Sequence, residues 1–398
     1  MMNETRRRTE GGFDWSLVIA VYLISGFGLL CIAMARYDPS VSAGLPLLNK
    51  ILASRSGQWQ AIFLLISPVV IGVIVAIPTE IIRSRTRLAY YGILALLVVT
   101  IFAGVASSNL RGWLHSDLVD RNIQVSEFAK LTILLMLARQ LSRSEKPMGK
   151  IKDFFRVLFI VGVPSLAILA QGETGTVIVI VFMFVVMMFF AGVDMKIILG
   201  IVGVGVIGVG VIVAYGLLSD DPDYRILRLL AFMDPEKYWD TGGYQIIRSQ
   251  EAIGAGQWTG RGTFLTGSFT TLGYVPESST DSIFSVVGES FGFVGCVALL
   301  AVYLFIVLRM LYLARFTEDR FGRLVIIGVM SMLFFHVFQN IAMGMGIMPI
   351  TGIPLPFMSY GGSNFISNIA AVALVLNVAS HRTATAVTTM PLPKLNTR

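Results

Sequence analysis

The stretch TLGYVPESSTDSIFSVVGESFGFVGCVALLAVYLFIVL, Thr271 to Leu308, decides the fold. It opens polar and then runs apolar from Ser282 for longer than a buried helix of a soluble domain needs. A helix across a bilayer takes roughly 20 apolar residues, and this run supplies them. At the polar-to-apolar edge stands Asp281, with Glu289 further in. A helix starting near Asp281 puts Asp281, Ser285, Gly288 and Gly292 on one face. An acid in such a place is costly unless it is paired, hydrated or at work.

The rest of the chain agrees with that reading. Of 398 residues, 55% are apolar and only 14% charged, with a mean hydropathy of +0.76; a soluble domain carries about 25% charged residues. The composition is that of an all-α integral membrane protein. Two cysteines, Cys31 and Cys296, lie in apolar runs and form no disulfide framework, and three scattered histidines make no metal cluster. The net charge of +7 needs no nucleic acid, because Lys and Arg set topology in membrane proteins. Arg6, Arg7 and Arg8 precede the first span without a small-residue cleavage site, which reads as a retained helix.

Ten spans fit, at about 16–36, 58–78, 88–106, 127–142, 154–171, 174–192, 196–218, 282–308, 323–345 and 362–380. The fourth is short and opens on two charges. With residues 1–15 inside, most basic residues fall on inner segments, including the tail 383–398. Both termini are therefore expected to be cytoplasmic, and residues 1–398 form one domain. The outer segments are then 37–57, 107–126, the 171–174 turn, a long loop 219–281 between the seventh and eighth spans, and 346–361. Nearly every polar motif falls on that outer face.

Each motif has a plain and a functional reading. Glu127 and Lys130 are spaced to pair across one helical turn, as a buried ion pair or as the polar floor of a substrate cavity. Arg111 and Trp113 are an anion grip or interfacial anchors. GAGQWTGRG, from Gly254, lacks the strand-to-helix context of a nucleotide site and reads as a flexible loop. PITGIPLPFMSYGGSN, from Pro349, is an irregular turn that survives at membrane depth only under cover of protein or a water-filled cavity. Its Ser359, Tyr360 and Ser363 could also contact a sugar or diphosphate. Asp281 is a candidate helix N-cap, accepting from Ile283 or Phe284, and equally a candidate general base.

Five stretches carry a family resemblance: QVSEFAK from Gln124, FMDP from Phe232, GYQIIRSQEAIGAG from Gly243, VPESSTDSIF from Val275 and TGIPLPFMSYGGS from Thr351. In this order they make the chain resemble the SEDS family (RodA, FtsW, SpoVE) from roughly Phe13 to His381, closer to the RodA branch. The resemblance implies a peptidoglycan glycosyltransferase that polymerises lipid II on the outer face of the bacterial cytoplasmic membrane, for cell elongation and shape. It implies a class B penicillin-binding protein as partner, within the elongation or division machinery. It makes Asp281 the catalytic carboxylate, with a divalent cation (Mg or Mn) as helper and no organic cofactor. Arg111, Arg248 and Lys130 are the cations available to a leaving diphosphate. Trp113, Glu127, Glu173 and Ser359 complete the expected substrate site, and Glu289 supports it from within the helix.

The chain departs from the family pattern in places. Val125 stands where the family has proline in Q-P-S-E, and Glu173 lengthens the acid of Q-P-D-L-G-T. Ser282 replaces an aromatic after the acid of T-D-F-I-F, and Ser290 replaces the second acid of G-E-E. The G-x-x-R-W stretch is loosened to Asn109, Leu110, Arg111, Gly112 and Trp113. Two other readings stand beside the polymerase: a flippase for the lipid-linked precursor, and an inactive scaffold for a penicillin-binding protein. A transporter places ionisable residues near mid-membrane on broken helices, whereas these acids gather at outer helix ends.

Overall fold

The structure is a computed structural model that describes residues 12–42, 44–103, 105–107, 110–116, 121–144, 147–218 and 224–381. The expected inner termini, at 1–11 and 382–398, and residues 219–223 of the long loop lie outside them. The chain runs α1 (Trp15–Ala35), α2 (Pro39–Ser42), α3 (Leu47–Leu52), α4 (Arg55–Ala76) and α5 (Thr79–Ala103). Three short strands follow, β1 (Val105–Ser107), β2 (Leu110–Ser116) and β3 (Arg121–Gln124). Then come α6 (Val125–Leu141), α7 (Ile151–Ala170), α8 (Thr174–Ala191) and α9 (Met195–Leu217). Two loop helices, α10 (Tyr224–Met233) and α11 (Gly243–Ala255), lead to α12 (Ile283–Arg315), α13 (Arg320–Gly344) and α14 (Gly362–Ser380).

Among the described residues nine helices are long and apolar enough to cross a bilayer. The tenth crossing is α6. It has 17 residues, about 26 Å of helix at ~1.5 Å per residue, which is short for a bilayer core of about 30 Å. It crosses all the same, because α5 ends on one face and α7 begins on the other. Nearly all of α6 is buried by protein, so it has no need to match the lipid.

Local chemistry sets the helix ends. Asp14 accepts from the Leu17 amide at 3.0 Å to start α1, and Asp194 and Asp319 start α9 and α13 in the same way. Gly192, at φ +82°, ends α8 in the left-handed conformation that closes the last turn. Asn377 of α14 donates to the Ile74 and Ile77 carbonyls at the end of α4 and accepts from Thr79 at the start of α5. One side chain thus satisfies carbonyls at the end of α4, holds the Thr79 hydroxyl at the start of α5 and fixes the α4–α5 turn.

The core lies around α13 and α14, whose spans are 83% and 78% buried, while α9 is only 6% buried. Outward-facing Leu65, Phe102 and Leu218 form the kind of apolar surface that meets lipid instead of water. Contacts at the helix ends agree on two faces. On one, Arg309 pairs with Asp14 at 2.9 Å and Arg83 with Asp319 at 3.7 Å. On the other, the Gln124 amide meets Ser363 at 3.0 Å and Arg36 meets Ser279 at 3.2 Å.

Three features differ from the sequence expectation. The strands β1, β2 and β3 form an antiparallel sheet in that order, with Trp113 opposite Gln124. The expected flexible loop GAGQWTGRG is docked, and α12 does not run straight from 283. At Gly292 (φ +63°, ψ −161°) α12 kinks, and the freed amides of Phe293 and Val294 bond the Gln257 and Trp258 carbonyls at 2.8 and 3.1 Å. In return Arg261 and Gly262 donate to the Glu289 and Ser290 carbonyls. A side chain on Gly256 or Gly260 would collide with the α12 backbone at Gly288 or Ser290. The glycines are there for close approach of two backbones. The kink also takes Gly292 out of the face that Asp281, Ser285 and Gly288 were expected to share with it.

Candidate functional site

Asp281 sits just before α12 on the face that also holds α10, α11 and the 349–361 turn. It does not cap the helix. Ser282 occupies the cap position, and no side-chain cap bond forms. Instead the backbone around Asp281 is pinned from three sides. Asn340 Nδ2 donates to the Asp281 carbonyl and to the Ile353 carbonyl, each at 2.8 Å. Ser359 Oγ donates to the Thr280 carbonyl at 2.6 Å and accepts from the Leu355 amide at 2.8 Å. The Tyr360 amide donates to the Ser279 carbonyl at 2.8 Å, and Gln245 reaches Ser282 Oγ at 3.1 Å. Two motifs far apart in sequence, 275–284 and 351–363, are thereby one piece of backbone.

The Asp281 carboxylate itself is half-buried and accepts no hydrogen bond among the described residues. Its carboxyl is pushed up to about 6, first by loss of solvent and then by the charge of Glu277, while Arg228 pulls it down. Arg228 lies on α10, held by the Tyr224 hydroxyl at 2.5 Å and stacked 4.5 Å from that ring. Gly352, at φ +70°, brings the turn against both groups. A Cβ built on it would lie 3.5 Å from Asp281 Oδ2 and 4.0 Å from Arg228 Nη1. Beside Glu277 opens a polar cleft of about 470 Å³, lined by Arg36, Tyr37, Asp38, Thr271, Glu277 and Ser278.

Glu173 joins this region through the backbone. Gly175, two residues on, packs against the Thr351 carbonyl. The Glu173 carboxylate accepts from Ser126 Oγ and, at 3.3 Å, from Thr176 Oγ1. Burial raises its affinity for a proton, and hydrogen bonds from Ser126, Gln124 and Thr176 oppose that. Its other oxygen, Oε1, has no partner among the described residues and lies under Gly112 of β2. The glycine that loosens the Arg-Trp motif is what lets the strand lie on Glu173. Trp113 is half-buried in the sheet; the Arg111 side chain lies outside the described residues.

Other expected site residues lie elsewhere. Glu127 and Lys130 pair at 2.9 Å, 3% and 1% exposed. Lys130 Nζ is also 2.9 Å from His336 Nε2, and Ser367 donates to the other Glu127 oxygen at 2.9 Å. His336 Nδ1 faces the Met332 carbonyl at 2.8 Å, which assigns its proton to Nδ1 and leaves Nε2 to accept from Lys130. The network is closed and gives a cavity no floor. Ser359 is 2% exposed with its hydroxyl engaged twice, so it positions the loop and does not face a sugar. Glu289 is also buried. It accepts from the Phe269 and Thr270 amides at 2.6 and 3.1 Å and from Arg261 at 3.4 Å, anchoring the loop that leads to Asp281. Arg248, on α11, is bound to Glu251 at 2.6 Å and ringed by Trp239, Tyr244 and Tyr274.

The sequence reading passed over Arg228, Asn340 and Gly352 as site residues. Only Arg228 had a local signal, as one of two arginines three apart in the amphipathic stretch YRILRLLAFM. Among the described residues no three His, Cys, Asp or Glu side chains come together to hold a metal ion.

The comparisons with known proteins point one way. A family model described as cell cycle protein, FtsW/RodA/SpoVE, matches residues 15–384. The chain is 34% identical to peptidoglycan glycosyltransferase MrdB of Escherichia coli (strain K12) over 314 residues, 79% of this chain and 83% of that one. It is 30% identical to the probable peptidoglycan glycosyltransferase FtsW of Geobacter sp. (strain M18) over 375 residues, 94% and 98% of the two chains. Among solved structures it is similar to a chain of a peptidoglycan synthase complex that coordinates polymerization and crosslinking, with TM-score 0.74 at 26% identity. It is also similar to the rod shape determining protein RodA of Thermus thermophilus, with TM-score 0.66 at 25% identity. Each structural match covers 93% of this chain and 98% of the other.

Proposed function

The chain belongs to the FtsW/RodA/SpoVE family of cell cycle proteins, and we propose that Asp281 is the general base of its peptidoglycan glycosyltransferase reaction. The observation that carries this reading is a carboxylate held through its backbone by Asn340 and accepting no hydrogen bond among the described residues; loss of solvent and the charge of Glu277 push its carboxyl up to about 6. A base tuned near the working pH is mostly ionised at pH 7 and still basic enough to take a proton.

The substrate is lipid II, a disaccharide-peptide on undecaprenyl diphosphate. A sugar hydroxyl of one molecule gives its proton to Asp281 as its oxygen attacks the anomeric carbon of the growing chain. The bond to diphosphate breaks, and undecaprenyl diphosphate leaves with the electron pair. Arg228, pre-set by Tyr224 and 4.0 Å from the Gly352 Cβ position, is the cation beside the base for that developing charge. The polar cleft next to Glu277 offers hydroxyl and charged groups to the acceptor sugar. Because both substrates are lipid-anchored, the reaction belongs at the membrane surface, where Asp281 stands just before the start of α12.

Among the described residues no three His, Cys, Asp or Glu side chains gather at one point. A magnesium or manganese ion travelling with the diphosphate needs only one or two carboxylates, and exposed Glu277 is the one on offer beside Asp281; such an ion would neutralise phosphate charge. The bias of basic residues to the opposite face supports an outer position for Asp281 and cytoplasmic termini. A class B penicillin-binding protein is the partner, in the elongation machinery of cell shape or its division counterpart.

The test is made on purified protein with its partner, in liposomes carrying fluorescent lipid II on either leaflet. The polymerase reading expects long glycan products from outward-facing lipid II. Transfer of lipid II between leaflets without polymer would instead establish a flippase, and neither activity would leave a scaffold.

A further inference from the structure

We propose that the face opposite Asp281 carries a binding site for the phosphate headgroup of an anionic phospholipid, where the ends of α5, α6 and α7 meet. Five guanidiniums converge there. Arg83 and Arg87 come from the first turns of α5, Arg139 from the last turn of α6, Arg143 from just beyond it, and Arg156 from α7. Arg139 lies in the fields of Arg87, Arg143 and Arg83, and Arg143 in those of Arg87, Arg156 and Arg83. Among the described residues two carboxylates answer them: Asp319 at 3.7 Å from Arg83, and Asp153 at 3.5 Å from Arg156. The cluster keeps a surplus of positive charge.

Topology alone asks only that basic residues lie on this face, and scattered ones serve as well. Helix stability accounts for Arg139 and Arg143 at the end of α6, but Arg83, Arg87 and Arg156, near the N-terminal ends of α5 and α7, gain nothing from those dipoles. Their convergence is built. Arg139 donates to the Arg83 and Ser84 carbonyls at 2.7 and 3.0 Å, tying the end of α6 to the start of α5. That link sets Arg143 and Arg87 side by side, both exposed. Arg143 makes one weak contact, with Gln140 at 3.4 Å. Loss of solvent and then its arginine neighbours hold its proton less tightly than usual, so the neighbours repel it. The α7 N-terminus opens beside it with no side-chain cap, leaving backbone amides for an anion. A doubly or singly charged phosphate at membrane-surface height fits this set, and the lipid headgroup is the phosphate found at that height.

The experiment delipidates purified full-length protein and measures retention of phosphatidylglycerol, cardiolipin or phosphatidylcholine by native mass spectrometry. The double variant Arg87→Gln/Arg143→Gln keeps the Arg139 link intact; Lys196→Gln/Arg315→Gln removes two exposed charges elsewhere on the same face. The proposal expects anionic lipid to bind wild type and the second variant alike. The first variant should bind it more weakly by roughly five-fold per charge removed, with unchanged thermal unfolding. Equal binding by both variants overturns the proposal, as does equal retention of phosphatidylcholine. Displacement of the lipid by millimolar inorganic phosphate also overturns it, because the ligand would then be a free anion.

Discussion

Asn340 of α13 holds the Asp281 and Ile353 carbonyls with one amide, at 2.8 Å each. A buried side chain therefore couples the acid to the glycine-proline turn that faces it. Asn340→Leu removes both donors and leaves two carbonyls unsatisfied, at about 1–3 kcal/mol each. The expected result is a lower melting temperature and a fall in kcat of at least roughly ten-fold, with KM for lipid II within about two-fold of wild type. Loss of affinity with kcat unchanged would point to a binding role instead.

As the proposed general base, Asp281 should set the acid limb of the rate profile. The base works ionised, so kcat/KM should rise with pH through about 6 and level off above it. Glu277 raises the pKa of Asp281 and Arg228 lowers it. Glu277→Gln should therefore move the limb to lower pH, and Arg228→Gln should move it to higher pH. Profiles of the three proteins that coincide would remove Asp281 from control of this limb.

Gly352 is needed twice over. Its φ of +70° costs a side-chain-bearing residue roughly 1–2 kcal/mol. A methyl there would sit 3.5 Å from Asp281 Oδ2 and strip more water from it. Gly352→Ala should lower the melting temperature modestly and shift the acid limb of activity to higher pH. A shift in stability with the pH profile unmoved would confine the glycine to a backbone role.

The Glu127–Lys130–His336 network is buried and internally paired. Lys130→Met leaves Glu127 buried without a counter-charge, which costs about 3–5 kcal/mol. Adding Glu127→Gln should recover much of that loss, as read by thermal unfolding in detergent. A double variant as unstable as the single one would show that the pair does more than satisfy itself.

The membrane fold was legible from composition and span length, because roughly 20 apolar residues in a row have few other homes. The short α6 was legible as a span and not as a buried one, since burial by protein leaves no mark on hydropathy. The acid at 281 was legible, because a charge at the head of an apolar run is costly. Its neighbours were not: Asn340 and Gly352 are 59 and 71 residues away in sequence, and Arg228 is 53 away on the other side. Only the folded turn brings them together. Ser359 and Glu289 were expected in the substrate site, and in the fold both are buried and bound to backbone within the protein. GAGQWTGRG looked flexible because glycine permits both mobility and close contact, and only the kink at Gly292 shows which one was needed.

The most direct measurement compares glycan polymer formed from fluorescent lipid II by wild type and by Asp281→Asn, with matched thermal unfolding. Asparagine keeps the shape and the backbone bond from Asn340 but cannot take the proton. Asp281→Asn should lose at least about 10²-fold in kcat, with lipid II still bound. Polymer formed by Asp281→Asn at a rate within about two-fold of wild type would contradict the general-base assignment.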